Sequence, residues 1–169
     1  MAGVELTLTL DDGHLHQMLA SLKDFNRRAM MGEMGEYLVS RVVSRLESQT
    51  DVRGKALEPS RRAQADGGKT LIDKGQLRDS YTYQVFADGS GVEVGSDLIY
   101  AAIHHFGGET GRRRSRASLR SRHTAHPVHN HAVTLPARPV LGINEDDEQE
   151  IDVIVFNAIQ RQLEQAARA

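Results

Sequence analysis

The chain contains no cysteine, which removes a disulfide framework, a thiol nucleophile and the thiolate zinc sites from consideration. It has no run of 18 or more apolar residues, and its first ten residues alternate instead of setting a basic stretch ahead of an apolar block. Neither a membrane span nor a signal peptide is therefore expected. Ser60, Ser80 and Ser96 sit in no nucleophile elbow, and Gly89-Ser90-Gly91 reads as a hairpin turn rather than a phosphate cradle. Asp73 and Asp79 could be paired acids, but ion pairs with Lys74 or Arg78 are the commoner outcome for exposed carboxylates. On these grounds no catalytic, cofactor-binding or metal residue is assigned. What is present, 169 residues of which 39% are hydrophobic, suits one domain over 1–169 with one modest core.

The net charge of −2 conceals a segregation. Residues 107–133 carry Arg112, Arg113, Arg114, Arg116, Arg120 and Arg122 against a single acid, Glu109, a local +5 that leaves −7 for the rest. A basic segment on an acidic body is suited to meeting an anionic partner, either nucleic acid or an acidic protein surface.

Periodicity gives the elements. Val4, Leu6, Leu8 and Leu10 alternate with Glu5, Thr7 and Thr9, the pattern of a half-buried strand, and Leu15, Met18, Leu19 and Leu22 predict a short helix reaching about Lys23. A longer helix is predicted over 26–48, where Met31, Met34, Leu38, Val42 and Leu46 form an apolar stripe and Glu33, Glu36, Arg41 and Glu47 face away. Residues 50–69 read as an exposed connection, with room for a helical turn near 61–65. The stretch 71–79 has a helical texture anchored by Leu71 and Leu77. Tyr81, Tyr83 and Val85 then alternate into a strand, Asp88-Gly89-Ser90-Gly91 signals a hairpin, and 91–96 return. A short helix over 100–106 ends at Gly107-Gly108. Residues 109–132 have no apolar period and read as a long basic loop. The chain re-enters the core through Val133-Thr134-Leu135-Pro136-Ala137-Arg138-Pro139-Val140-Leu141-Gly142-Ile143, where two prolines predict an extended edge or turn. A last helix runs over 145–167, with Asn144 as N-cap and Glu145, Asp146, Asp147 and Glu148 at the positive end of its dipole. The expected fold class is α+β: a small antiparallel sheet packed with a long N-terminal helix and a C-terminal helix, plus a long basic loop.

Two chemistries compete for the loop. His123, His126, His129 and His131, with His104 and His105 as further donors, could form a metal-binding module, although Glu109 is the only nearby carboxylate. The six arginines could neutralise phosphates, but the loop has no aromatic residue for stacking, which leaves non-specific nucleic-acid binding.

Four stretches carry a family likeness: Thr50-Asp51 with Gly54-Lys55 and Leu57-Glu58-Pro59-Ser60; Leu71-Ile72-Asp73-Lys74-Gly75-Gln76-Leu77-Arg78-Asp79-Ser80; Val92-Glu93-Val94-Gly95 followed by Tyr100-Ala101-Ala102-Ile103-His104-His105-Phe106-Gly107-Gly108; and Pro136 to Ile143. In this order they resemble the phage virion morphogenesis family, the Mu-like and tail-completion group of tailed-phage proteins. The chain departs from that pattern at Val52, Ala56, His105 and Val140, where the family commonly has proline, an aromatic residue, glutamine and phenylalanine. The resemblance implies a non-enzymatic virion protein without cofactor, made in the host cytoplasm and built into the tail or neck. It further implies a tail completion protein or tail terminator that forms a homo-oligomeric ring, of six subunits by analogy with the sixfold symmetry of tails, and enables head-tail joining. Partners would be its own copies, the tail tube or sheath, and neck or head-completion proteins, with non-specific contact to packaged DNA through the arginines. Leu77, Arg78, Tyr100, His104, Phe106, Arg138 and Leu141 are the candidates for shaping subunit contacts.

Overall fold

A computed structural model describes residues 25–110 and 133–168, together with Ala20 and Lys23. The strand expected at 4–10 lies outside the described residues.

Helix α1, Arg27–Ser48, is the spine. The Asn26 side chain accepts a hydrogen bond from the Ala29 N–H at 3.0 Å and so caps its first turn. Gln49 ends it in the left-handed conformation, with its N–H returning to the Arg45 and Leu46 carbonyls. The apolar stripe splits into two clusters. Val42 and Leu46 meet Leu57, Leu77, Tyr81 and Val140, while Met30 and Met34 meet Ala158, flanked by Ile151, Ile154 and Val155. Val42 and Leu46 are essentially sealed, each stabilising the fold by about 1.5–3 kcal/mol. Val140, smaller than the phenylalanine common in the resembled family, is itself 1% exposed.

Strands β1, Tyr81–Val85, and β2, Val92–Ser96, form an antiparallel hairpin with Tyr81 opposite Ser96 and Val85 opposite Val92. Its turn is tied by Asp88, whose carboxylate accepts from the Ser90 N–H and hydroxyl at 3.0 and 2.7 Å. The hairpin lies on α1 at Gly35, where a Cβ would run into the Tyr83 ring. Glycine there sets how closely helix and sheet approach.

The connection expected to be wholly exposed is not. Leu57 is buried, as is Thr70 just beyond the connection, and helix α2, Arg61–Asp66, turns Ala63 inward, so that helix has a packed face. Gln49 accounts for this: its side-chain amide donates to the Thr70 carbonyl at 3.0 Å and accepts from the Thr70 N–H, pairing with the backbone as a neighbouring strand would. Of the stretch 71–79 only Gln76–Asp79, helix α3, is helical. Leu71 instead adopts φ 64°, which swings its side chain against the core.

Helix α4, Ala101–Phe106, is followed by strand β3, Gly108–Thr110, which pairs antiparallel with β4, Val133–Leu135. The first two residues expected to belong to the long loop, Glu109 and Thr110, are instead part of this second ribbon. Residues 111–132 lie outside the described residues. Helix α5, Glu145–Arg168, packs along α1. The architecture is α+β, as expected, with the long helix, the small two-stranded antiparallel sheet and the C-terminal helix in their expected places.

Candidate functional site: a cleft where the motifs meet

The four stretches singled out in the sequence converge on one open cleft of about 760 Å³. Glu58 and Ser60 come from the first, with Arg61 and Arg62 directly after it; Leu71, Lys74 and Leu77 come from the second. Tyr100, just before α4, and His104 within it line one side, and Leu135 of β4 and Arg138, three residues further on, close the other. Thr110 pairs with Val133, itself part of the cleft lining, so the described residues on either side of the arginine-rich stretch stand side by side.

Arg138 holds this arrangement together. It is 4% exposed, its Nε donates to the Glu58 carbonyl at 2.9 Å, and its backbone N–H donates to the His104 carbonyl at 2.9 Å. One residue thus joins the first, third and fourth stretches. Gly107 allows the approach: at φ 71°, ψ 179° it occupies a region nearly reserved for glycine, and a Cβ there would stand 2.7 Å from the Ala137 nitrogen and 2.9 Å from the Leu135 oxygen.

The imidazoles of α4 are partly buried, and the Nδ1 atoms of His104 and His105 are enclosed with no hydrogen-bond partner among the described residues. Burial lowers the pKa of both, and for His104 the Arg138 charge lowers it further. Tyr100 meets His104 edge-on at 6.0 Å between ring centroids, as His105 meets Phe106 at 4.6 Å. No group of three His, Cys, Asp or Glu able to hold a metal occurs among the described residues.

A buried ionic node sets the position of the segment 140–144 that leads into α5. Asp147, fully buried, accepts from Arg41 Nε at 2.6 Å, from Arg45 Nη2, from the Tyr37 hydroxyl at 3.1 Å and from the Asn144 N–H at 3.0 Å. Arg45 Nη1 donates in turn to the Val140 and Gly142 carbonyls at 3.1 and 2.7 Å. Asn144 Oδ1 accepts from the Asp147 N–H at 3.0 Å, completing a reciprocal cap on α5. Burial alone would raise the Asp147 pKa, yet the Asn144 N–H and the two guanidinium groups together outweigh it and bring the pKa below the usual carboxylate value. Tyr37 is pushed up by burial and then by its bond to Asp147. Two expectations are corrected here. Arg41 faces Asp147 rather than solvent, and Asp147 is the buried centre of an ion-pair network rather than a surface acid answering only the helix dipole.

Of the seven candidate contact residues, Leu77, Tyr100, His104 and Arg138 line the cleft. Arg78 pairs with Asp79 at 2.6 Å and with Glu47 at 3.8 Å, Leu141 packs on the core around Val42, and Phe106 projects with 76% of its surface exposed. Arg112, Arg113, Arg114, Arg116, Arg120 and Arg122, like His123, His126, His129 and His131, lie outside the described residues. The sequence reading missed Arg61, Arg62 and Lys74 as neighbours of these groups. Their available signal was position, since Arg61 and Arg62 directly follow Ser60, which caps α2 by accepting from the Ala63 N–H at 3.2 Å.

No helix among the described residues is long and apolar enough to cross a membrane. No curated protein and no solved structure matches the chain. The sequence model of the phage virion morphogenesis family matches residues 10–160, a span that takes in α1, the hairpin, the cleft, the ionic node and most of α5. That family points to a virion-associated, structural role in phage assembly, and it is to the phage virion morphogenesis family that this chain belongs.

Proposed function

We propose that the chain completes the tail or neck by closing into a homo-oligomeric ring, six copies by analogy with the sixfold symmetry of tails, on which head and tail join. The supporting observation is the apolar surface that a single copy leaves bare around α4. Ile99 is 98% and Phe106 76% exposed, although one stands just before α4 and the other at its end, and that helix is anchored to the segment after β4 through His104 and Arg138. Large apolar side chains fixed in water in this way are characteristic of surfaces that another protein covers. A closed ring needs two different faces per subunit to meet, and the cleft side with its α4 rim supplies one of them. The arginines at 112–122 would then reach a neighbouring subunit, the tail tube or DNA in the channel.

The test is assembly in infected cells with the gene disrupted. Lysates should contain filled heads and separate tails, and supplying the chain in trans should restore joined virions. Normal numbers of joined particles without the chain would overturn the proposal.

A further inference from the structure

The proposed ring requires a second face to meet the cleft, and α5 carries one of complementary chemistry. Glu145, Glu148, Asp152 and Phe156 recur at i, i+3, i+7 and i+11, and all four are exposed. This spacing aligns them in one stripe, turned away from Asp147, Ile151, Ile154 and Ala158, which face α1. No basic residue occurs between Asn144 and Gln160, and Phe156 leaves 61% of its surface in water. The stripe is therefore acidic along two turns and aromatic at its end.

The cleft presents the converse. Arg61 and Lys74 stand exposed on its rim with half-buried Arg62, while Leu71, Leu77 and Leu135 supply apolar lining. Glu58 and Asp73 also line it. Arg61, Arg62 and Lys74 outnumber those two acids, and the apolar lining suits a surface that mixes acids with an aromatic group better than a bare phosphate chain, which has nothing to set against the leucines. We infer that the cleft of one subunit receives the Glu145, Glu148, Asp152 and Phe156 stripe of a second copy, a heterologous contact that repeats around the ring. This assignment rests on the ring reading of the previous subsection and adds which faces meet.

The absence of cysteine makes the test direct. A chain carrying both Lys74→Cys and Glu148→Cys should give a ladder of covalent oligomers on mild oxidation, while each single variant stops at a dimer. In parallel, Arg61→Glu with Lys74→Glu should weaken self-association at least roughly tenfold, as should Glu148→Lys with Asp152→Lys, because like charges then face each other. All four substitutions in one chain should bring it back to within roughly threefold of the original. Every altered side chain is exposed, so each variant should keep the native circular dichroism spectrum. If the unaltered chain assembles, but the reversed variants assemble equally well and no ladder forms, the pairing of faces is wrong while the ring stands. If the unaltered chain stays monomeric at every concentration, with tail tubes supplied or not, both the ring and this pairing fall.

Discussion

Replacing Asp147 with asparagine tests the ionic node that places α5 and the segment 140–144 leading into it. The change keeps the shape but removes the charge that faces Arg41 and Arg45. Breaking a buried ion pair by neutralising one partner costs about 3–5 kcal/mol, because the other charge is left uncompensated. Two features pull the expectation to the lower end. Arg45 retains the Val140 and Gly142 carbonyls, and Arg41, with 31% of its side chain exposed, can turn towards water. The expected loss is about 3 kcal/mol, a large share of the roughly 5–15 kcal/mol that holds a domain of this size. In a thermal melt this corresponds to a fall of roughly 6–12 °C. Urea unfolding followed by circular dichroism gives the free energy, and hydrogen exchange gives the location, with faster exchange expected across 145–168 before the β1–β2 hairpin is affected. Arg45→Met with Asp147→Leu should cost at least as much, since the Val140 and Gly142 carbonyls, the Asn144 N–H and the Tyr37 hydroxyl then lose their partners. A loss below about 1 kcal/mol for Asp147→Asn, or a double variant more stable than the single one, would refute the reasoning.

The α4 region yields three further expectations. Gly107→Ala should destabilise by about 2–4 kcal/mol in the same urea assay, combining a glycine-only conformation with a backbone collision; an unchanged midpoint would contradict the described approach of α4 to 135–137. Phe106→Ser should leave unfolding within about 0.5 kcal/mol of the original, as exposed substitutions do, yet weaken self-association measured by light scattering. The lowered pKa values of His104 and His105 mean that the unfolded chain binds protons first, so stability should fall as pH drops below about 6.5. His105→Gln should flatten that fall in melts recorded between about pH 6.5 and 5. Asp147, also lowered, acts in a separate window: its contribution is present above the unfolded carboxylate value of about 3.9 and is lost as pH falls through the folded one.

The regular elements were legible because their periods are local. The 26–48 helix, the 81–96 hairpin with its Asp88-Gly89 turn and the 145–167 helix each match the observed element to within a residue or so at either end. What escaped depends on partners distant in sequence. Arg45 lies in the i+7 series Met31, Leu38, Arg45, so a cation interrupts the buried face. Its partner Asp147 is 102 residues away and is masked by three neighbouring acids that fit the helix dipole equally well. Leu57 is a lone leucine in a polar connection, and no period announces that Gln49 and Thr70 will fold that connection inward. The cleft was legible only as four separate stretches. Their convergence depends on Arg138 bonding across 80 residues to Glu58, and on the β3–β4 ribbon, whose three-residue strands are too short to show alternation.

The central claim is that this family member works as a ring subunit, and the molar mass of the purified chain tests it most directly. Light scattering across protein concentration and salt, with negative-stain images of the same fractions, should reveal a discrete ring of about six copies, weakening as added salt screens the charges between faces. A strict monomer at every concentration, unchanged when tail tubes are supplied, would contradict the account.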